Sequence, residues 1–365
     1  MSGLPADRVV YALGHAAELP AWPLPDWELL VRQARQADLL ARIANQLDKL
    51  GLIERVPRQP LVHLESAQRL ARAQQDEVRR EIGHLCKAFA PIGLPVLLLK
   101  GAAYVAVGLP PAAGRMFSDT DILVPKARLP EVESTLMMNG WMTTHKSAYD
   151  QRYYREWMHE LPPMEHMRRR TVVDVHHAIL PETARLKPDA SKLLAAAQPV
   201  AGLKGVSVLA PVDMVLHSMT HLLHNEELSH GLRDLSDLDL LLRHFGALPG
   251  FWAGLVERAR DLDLARPLHY GLRFAQRILG TPVPESTLAE AVRAAPAWPL
   301  SALMDALWWR ALRSQHATAA PPLTGAALFL LYLRAHWLRM PPLLLARHLA
   351  TKAWQRGLPK GEAPR

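Results

Sequence analysis

Apolar and polar positions alternate along the N-terminal part of the chain with the period of amphipathic helices. Between Trp27 and Ile53, leucines and alanines recur every three or four residues with charged residues between them, which is typical of helices buried along one face. Residues 60–89 carry a longer apolar stripe, which stops just before Pro91. The stripe consists of Leu64, Ala67, Leu70, Ala71, Val78, Ile82, Leu85 and Phe89. The pattern predicts an N-terminal helical region over residues 1–91.

The pattern changes after residue 91 to short apolar runs bounded by proline and glycine, which are typical of buried strands. The strand candidates are 94–100, 119–124, 141–145, the segment around 153–157, and 171–179, with helices over 101–108 and 129–140 between them. Residues 92–204 are therefore predicted to form a small mixed α/β unit.

Helical patterns return in the C-terminal part. They predict a helical domain over residues 205–356, followed by a polar, flexible tail over 357–365. We therefore expect an α+β fold, in which a small mixed-sheet core is flanked by N-terminal and C-terminal helical regions.

Composition narrows the class of protein. The chain has 365 residues, a formal net charge of +8 and a single cysteine, Cys86, which excludes a disulfide framework or a multi-cysteine metal site. The longest apolar run, residues 326–333, is too short to span a membrane, and the N-terminus lacks the pattern of a signal peptide. We expect a cytoplasmic protein whose modest positive charge suits an anionic partner such as nucleotide phosphates.

Two aspartates lead into the strand candidate 119–124. Only Thr120 separates Asp119 from Asp121, so the alternation of side chains along a strand places both carboxylates on the same side. Adjacent carboxylates repel each other unless a cation lies between them, and Mg²⁺ prefers such oxygen ligands. The alternative is a pair of exposed aspartates in a turn before the strand.

A third carboxylate, Asp174, interrupts the valines of the strand candidate 171–179. It is costly to bury unless it is paired or bound to metal, and His176 lies on the same face of the strand. Two carboxylates from one strand and a third from another are what two-metal phosphoryl transfer requires. The alternative partner is one of the arginines in the run 168–170, which otherwise forms a solvated face or attracts an anionic substrate.

A strand that ends in Lys100-Gly101 and opens a helix is a candidate phosphate site. Glycine lets the backbone approach a phosphate, and the N–H groups of a first helical turn attract anions. Lys100 can neutralise a phosphate oxygen, and Arg115, four residues before Asp119, is a second candidate. The strand–glycine–helix pattern is common, so alone it indicates no single function.

Together these segments resemble a known family. The residues that carry the resemblance are LLLKGAA (97–103), the arginine before SDTDILV (118–124), and VDVHH (173–177). They resemble the minimal nucleotidyltransferase fold of the polymerase-beta-like superfamily, and are similar to its bacterial group of uncharacterised nucleotidyltransferases. The resemblance spans roughly residues 90–245 and includes LRDLSDLDLLL (232–242).

The resemblance implies transfer of a nucleotidyl group from an NTP, such as ATP, to a hydroxyl acceptor, with Mg²⁺ or Mn²⁺ and release of pyrophosphate. It implies that Asp119, Asp121 and Asp174 are the metal ligands and catalytic residues. His176 is expected to orient Asp174 or to contact the acceptor. The acceptor stays open between a small molecule, a sugar, a protein and an RNA end.

The expected nucleotide-binding residues are Lys100, Gly101, Ala102, Arg115 and Ser118. The chain departs from the superfamily at Ala102, where serine or glycine is usual, so a hydroxyl for a phosphate oxygen is missing. This departure keeps a second hypothesis open, a catalytically inactive nucleotide-binding or scaffold protein of the same fold.

A third hypothesis is a metal-dependent hydrolase. His217, His221 and His224 are spaced to share one helical face near Asp234 and Asp237, and such ligands suit Zn²⁺ or Fe²⁺. The alternative is a polar stripe that lines a cleft, with some histidines opposite the three aspartates. Residues 329–350 combine leucines with arginines, and we expect a helical core segment there rather than contact with a membrane surface.

Overall fold

The computed structural model describes residues 4–143, 154 and 157–340 of the chain. The strand expected around 153–157 falls largely outside these residues, and the tail 357–365 falls wholly outside them. The N-terminal region forms four helices within this part of the chain. They are α1 (Arg8–Gly14), α2 (Leu24–Gln36), α3 (Leu40–Lys49) and α4 (Arg58–Phe89).

The segment from Trp27 to Ile53 is divided into α2 and α3. The break falls at Asp38, whose φ of 53° lies in the left-handed region, and the Leu39 N–H closes the end of α2 on the Ala34 carbonyl at 2.9 Å. The turn lets both helices bury their leucines in a single N-terminal cluster.

Helix α4 connects this N-terminal cluster to the main core. Its 32 residues extend about 48 Å at 1.5 Å per residue. Leu64, near its start, belongs to the N-terminal cluster, whereas Val78, Ile82 and Leu85 pack into the core around the sheet. The apolar stripe predicted from the sequence thus serves two different clusters.

A seven-stranded mixed sheet forms the centre of the protein. Its strands are β1 (Val96–Leu98), β2 (Thr120–Leu123), β3 (Trp141–Thr143), β4 (Met164–His166), β5 (Val172–His176), β6 (Gln198–Pro199) and β7 (Val206–Val208). Their order is β3-β4-β5-β2-β1-β7-β6, with the pairs β2–β5 and β1–β7 parallel and the others antiparallel. Strands β4, β6 and β7 were not among the candidates, because segments of two or three residues are too short to show a clear hydrophobic alternation.

Helices flank the sheet and form the C-terminal part. The helices within the α/β part are α5 (Lys100–Ala106), α6 (Leu129–Met138) and α7 (Ala190–Ala195). Those that follow are α8 (Pro211–His224), α9 (Gly231–Phe245), α10 (Phe251–Asp261), α11 (Ala265–Leu279), α12 (Glu285–Val292), α13 (Leu300–Ala311) and α14 (Thr324–Arg339). One hydrophobic core runs from the sheet into these helices, and the predicted α+β class is confirmed.

Helix α14 is buried on one side. Leu331 and Ala335 lie in the interior, whereas Phe329 is 60% exposed and Trp337 lies under the guanidinium of Arg185 at 4.6 Å. The core segment expected over 329–350 therefore holds for one face of the described part. Of the helices that the structure describes, none has the length and apolar character needed to cross a membrane.

A buried ion-pair network joins three parts of the chain behind the sheet. Asp237 of α9 accepts from Arg42 of α3 at 2.6 Å and from Arg115, in the loop before β2, at 2.8 Å. Burial raises the pKa of the Asp237 carboxyl, but the two guanidiniums outweigh this and hold that pKa below its usual value. The network fixes the N-terminal helices and α9 against the loop that leads into β2.

Candidate functional site

Asp121 and Asp174 face each other on neighbouring strands. Strands β2 and β5 are parallel, and their register pairs Asp121 directly with Asp174. Neighbouring strands lie about 4.8 Å apart, so the two residues project from the same face of the sheet at close range. Asp119 lies one residue before β2. Burial raises its carboxyl pKa, and the negative charge of Asp121 raises it further.

Asp121 is the best-compensated of the three aspartates. Its Oδ1 accepts a hydrogen bond from Lys100 Nζ at 2.7 Å, and His176 Nε2 lies 2.9 Å from the same oxygen. Burial alone would raise the pKa of this carboxyl, but Lys100 and His176 hold it well below its usual range. Asp121 is therefore an ionised carboxylate with a fixed orientation.

Lys100 owes its position to an unusual backbone conformation. It is the first residue of α5 and has a φ of 44°, in the left-handed region that non-glycine residues rarely adopt. Burial would lower the pKa of its ammonium, but Asp121 outweighs burial and raises that pKa. The structure thus pairs Lys100 with a carboxylate, and its predicted contact with phosphate stays a prediction.

Asp174 differs from Asp121 in having no ion pair or hydrogen bond to its Oδ1 within the described part of the chain. Its Oδ1 is buried and has no hydrogen-bond partner among the residues that the structure describes. Burial, together with the charges of Asp121 and Glu160, raises its carboxyl pKa to about 8. In the neighbouring arginine run, Arg169 pairs with Glu81 at 2.9 Å and Arg170 with Glu165 at 2.6 Å.

These features fit a divalent cation. An unpartnered buried carboxylate oxygen beside two further carboxylates is an environment that a cation compensates, and Mg²⁺ takes oxygen ligands of this kind. Asp119, Asp121 and Asp174 supply them here. Within the described part of the chain, the oxygens of these three carboxylates do not all lie within 4.8 Å of one another.

Two residues next to these aspartates were not predicted from the sequence. The Nδ1 atom of His176 lies 3.2 Å from Glu160 Oε2, and the rings of His176 and His159 are 5.3 Å apart. His176 was expected to orient Asp174 or to contact the acceptor. In the structure its Nε2 contacts Asp121 Oδ1 at 2.9 Å, and contact with an acceptor stays a prediction. The adjacent His159-Glu160 pair is the signal that was overlooked, since these are common metal-binding and acid–base side chains.

The predicted nucleotide-binding residues have identifiable contacts within the protein. Gly101 is required sterically, because a Cβ there would lie 2.5 Å from Arg115 Nη1 and 2.9 Å from Phe117. Arg115 itself pairs with Asp237, Ser118 is exposed and hydrogen-bonds Asp119, and Ala102 is buried. These placements explain their structural roles, while their contacts with nucleotide stay predictions.

Helix α8 brings histidines close to the same face. Burial, followed by the charge of Lys100, lowers the pKa of His217 to about 3 and that of His221 well below its usual value. His224 lies further along, with its Nδ1 3.1 Å from the Thr220 carbonyl. These three histidines form no metal-ligand cluster within the described part of the chain, so the structure favours the polar-stripe interpretation.

The sheet, the paired aspartates and the Lys-Gly helix are the features by which the chain resembles the nucleotidyltransferase class. A family model described as "uncharacterised nucleotidyltransferase" matches residues 23–280, and the chain belongs to this family. The match extends beyond the expected 90–245, since it begins before α2 and ends after α11. Comparisons with curated proteins and with solved structures gave no significant match.

Proposed function

We propose that the protein transfers a nucleotidyl group from an NTP to a hydroxyl acceptor and releases pyrophosphate, with Asp119, Asp121 and Asp174 as ligands of Mg²⁺ or Mn²⁺. The observation that carries this proposal is the pairing of Asp121 with Asp174 across two parallel strands, with the buried Asp174 oxygen unpartnered among the described residues. Family membership supports the reaction class.

Bound Mg²⁺ ions would neutralise the triphosphate and favour the deprotonated acceptor. The chain's own contribution is positioning. Both Lys100 and His176 contact Oδ1 of Asp121, so Oδ2 is the oxygen that these two contacts leave for a cation. In this proposal Lys100 and the amides of Gly101 and Ala102 lie at the phosphates, with Arg115 and Ser118 beside them.

Asp174 supplies the negative charge that completes the site. Its raised pKa means that, without a cation, the carboxyl is largely protonated at neutral pH, so binding of a divalent ion displaces a proton. His217 and His221 of α8 cover the same region as neutral imidazoles, which gives the acceptor polar contacts without adding charge. Most of the rate enhancement would come from orientation and charge neutralisation.

The test is a labelling experiment in extract of cells that make the protein. Purified protein is incubated with each α-labelled NTP and Mg²⁺, and we expect one class of molecule in the extract to gain label. Asp121→Asn should lower the initial rate at least about 100-fold, since it removes a charge needed by the transition state. Asp48→Asn, the same change on an exposed side chain, should leave the rate unchanged.

Two outcomes would contradict the proposal. Nucleotide binding without transfer of label would favour the inactive nucleotide-binding protein. Transfer that persists in Asp121→Asn would remove the aspartates from the mechanism. Circular dichroism of each variant establishes that a lost rate does not reflect lost folding.

A further inference from the structure

Two histidines and a glutamate meet at the end of β5, next to the three aspartates. His159, Glu160 and His176 each offer one ligand atom, and these atoms lie within 4.8 Å of one another. We propose that these three residues bind a transition-metal ion, Zn²⁺ in the first instance, at a site separate from the carboxylates proposed for Mg²⁺. This site goes beyond the proposed transfer reaction and does not depend on it.

The spacing of two of the ligand atoms already matches such a site. Zn–N and Zn–O bonds of 2.0–2.2 Å at a tetrahedral angle place two ligand atoms about 3.3–3.5 Å apart. His176 Nδ1 and Glu160 Oε2 are separated by 3.2 Å. A small movement of the His159 ring would therefore complete a three-ligand site, with further positions open to water or to a ligand.

The backbone holds the three residues in place. Glu160 forms a bridge with His176, the Leu161 N–H donates to the Val175 carbonyl at 2.9 Å, and the His177 N–H donates to the His159 carbonyl at 2.8 Å. Backbone hydrogen bonds thus join the two chain segments on both sides of the cluster. Side chains on segments fixed in this way lose little freedom when a metal binds, which favours binding.

Asp121 gives His176 the partner that metal-bound histidines have. A histidine that binds metal through one ring nitrogen usually donates the other N–H to a carboxylate, which fixes the ring orientation and its tautomer. His176 presents Nδ1 to Glu160 and Nε2 to Asp121 Oδ1 at 2.9 Å. The arrangement is therefore a carboxylate–histidine pair directed at the proposed ion.

The donor set selects the metal. Two imidazoles and one carboxylate suit Zn²⁺ and other first-row transition metals, whereas Mg²⁺ prefers oxygen ligands throughout. His159 contributes a further sign, since its Nδ1 is buried with no hydrogen-bond partner in the part of the chain that the structure describes. The two sites should therefore differ in metal preference, although Asp121 is a proposed ligand in one and the hydrogen-bond partner of His176 in the other.

The test uses the full-length protein after removal of metals with a chelator. Co²⁺ is added as a spectroscopic probe and then displaced by Zn²⁺, both in a large excess of Mg²⁺, and metal bound at saturation is measured by mass spectrometry. We expect one equivalent of Co²⁺ with visible absorption bands, and its replacement by one equivalent of Zn²⁺. Excess Mg²⁺ should not displace either ion.

Substitutions locate the ion. Loss of an orienting partner costs about 10–100-fold in metal affinity, so loss of a ligand should cost more than this in His159→Asn and in Glu160→Gln. His177→Asn, one residue beyond β5 and next to the cluster, and Asp174→Asn, in the carboxylate site, should bind Zn²⁺ within about threefold of the unmodified protein. Glu160→Gln conserves shape, so it keeps the test valid if His159→Asn fails to fold.

Three results would overturn the proposal. They are the absence of stoichiometric Zn²⁺ or Co²⁺ binding, equal binding by Glu160→Gln and the unmodified protein, and loss of binding in Asp174→Asn but not in Glu160→Gln. The last would place the ion on the carboxylates. Because the readout is metal binding, failure here leaves the nucleotidyl-transfer assay unaffected, and failure of that assay leaves this one unaffected.

Discussion

The contribution of the buried ion-pair network around Asp237 to the stability of the protein can be tested directly. Asp237→Asn keeps the shape of the side chain but removes the charge that Arg42 and Arg115 share. The side chains of Asp237, Arg42 and Arg115 are 4%, 2% and 11% exposed, so water cannot replace the lost carboxylate. The variant removes the carboxylate charge that both buried guanidiniums hydrogen-bond.

The magnitude follows from the geometry. Removing one partner of a buried ion pair costs about 3–5 kcal/mol, because the remaining charge stays desolvated. Arg42 keeps hydrogen bonds to the Pro111 carbonyl at 2.7 Å and to Ser236 at 3.0 Å, and the asparagine oxygen can still accept one bond. These remaining contacts place the expected loss near the lower limit, at about 3 kcal/mol.

The assay is urea denaturation followed by tryptophan fluorescence. Asp76→Asn is the matched control, because Asp76 and Arg79 form an exposed pair at 2.7 Å whose loss should cost less than about 1 kcal/mol. A loss below 1 kcal/mol for Asp237→Asn would refute the reasoning, since it would show that the network contributes no more than a surface pair.

Further predictions concern glycine packing and acid stability. Gly101→Ala should destabilise the protein by about 1–3 kcal/mol in the same urea assay, because the added Cβ would meet Arg115 Nη1 at 2.5 Å. Gly83→Ala should instead stabilise it by about 0.5–1 kcal/mol, because Gly83 lies within α4 with open space around it. Burial lowers the pKa of His224 to about 3, so the unfolded chain binds this proton between pH 6.5 and about 3 and the folded protein does not. The free energy of unfolding should therefore fall as the pH drops below 6.5, by about 2 kcal/mol from this residue at pH 5. His224→Gln should remove this part of the acid-induced loss, whereas the control His244→Gln, at an exposed position, should leave the loss unchanged. An equal acid loss in His224→Gln, or an unchanged denaturation midpoint in Gly101→Ala, would contradict these expectations.

The predictable part of the fold was the part that local pattern determines. Asp174 and His176 share a face because alternation is a property of a single strand, and both lie in β5. Asp119 lies outside β2, so its placement on the same side as Asp121 stays a prediction. The helix after Lys100 was predicted for a similar reason. By contrast, the pairing of β2 with β5 depends on the order of strands across the whole sheet, which no local sequence pattern indicates.

The side chains that surround the aspartates could not be predicted from the local sequence pattern. Lys100 contacts Asp121 from a left-handed backbone conformation, and no local sequence pattern predicts that conformation for a lysine. Glu160 reaches His176 through a strand bridge that follows residues outside the described part of the chain. Neither contact has a periodic signature, since each results from the need to compensate charge inside the folded protein.

Because Asp121 and Asp174 have different neighbours, the pKa values of their carboxyl groups differ. Asp121 already has Lys100 and His176 as cationic or hydrogen-bonding neighbours, and its pKa is low, whereas Asp174 has a pKa of about 8 and a buried oxygen without a partner among the described residues. In the proposed reaction, a bound divalent cation would change the ionisation of Asp174 far more than that of Asp121. Under this proposal Asp174 would couple metal binding to pH, while Asp121, held by Lys100 and His176, would orient the cation.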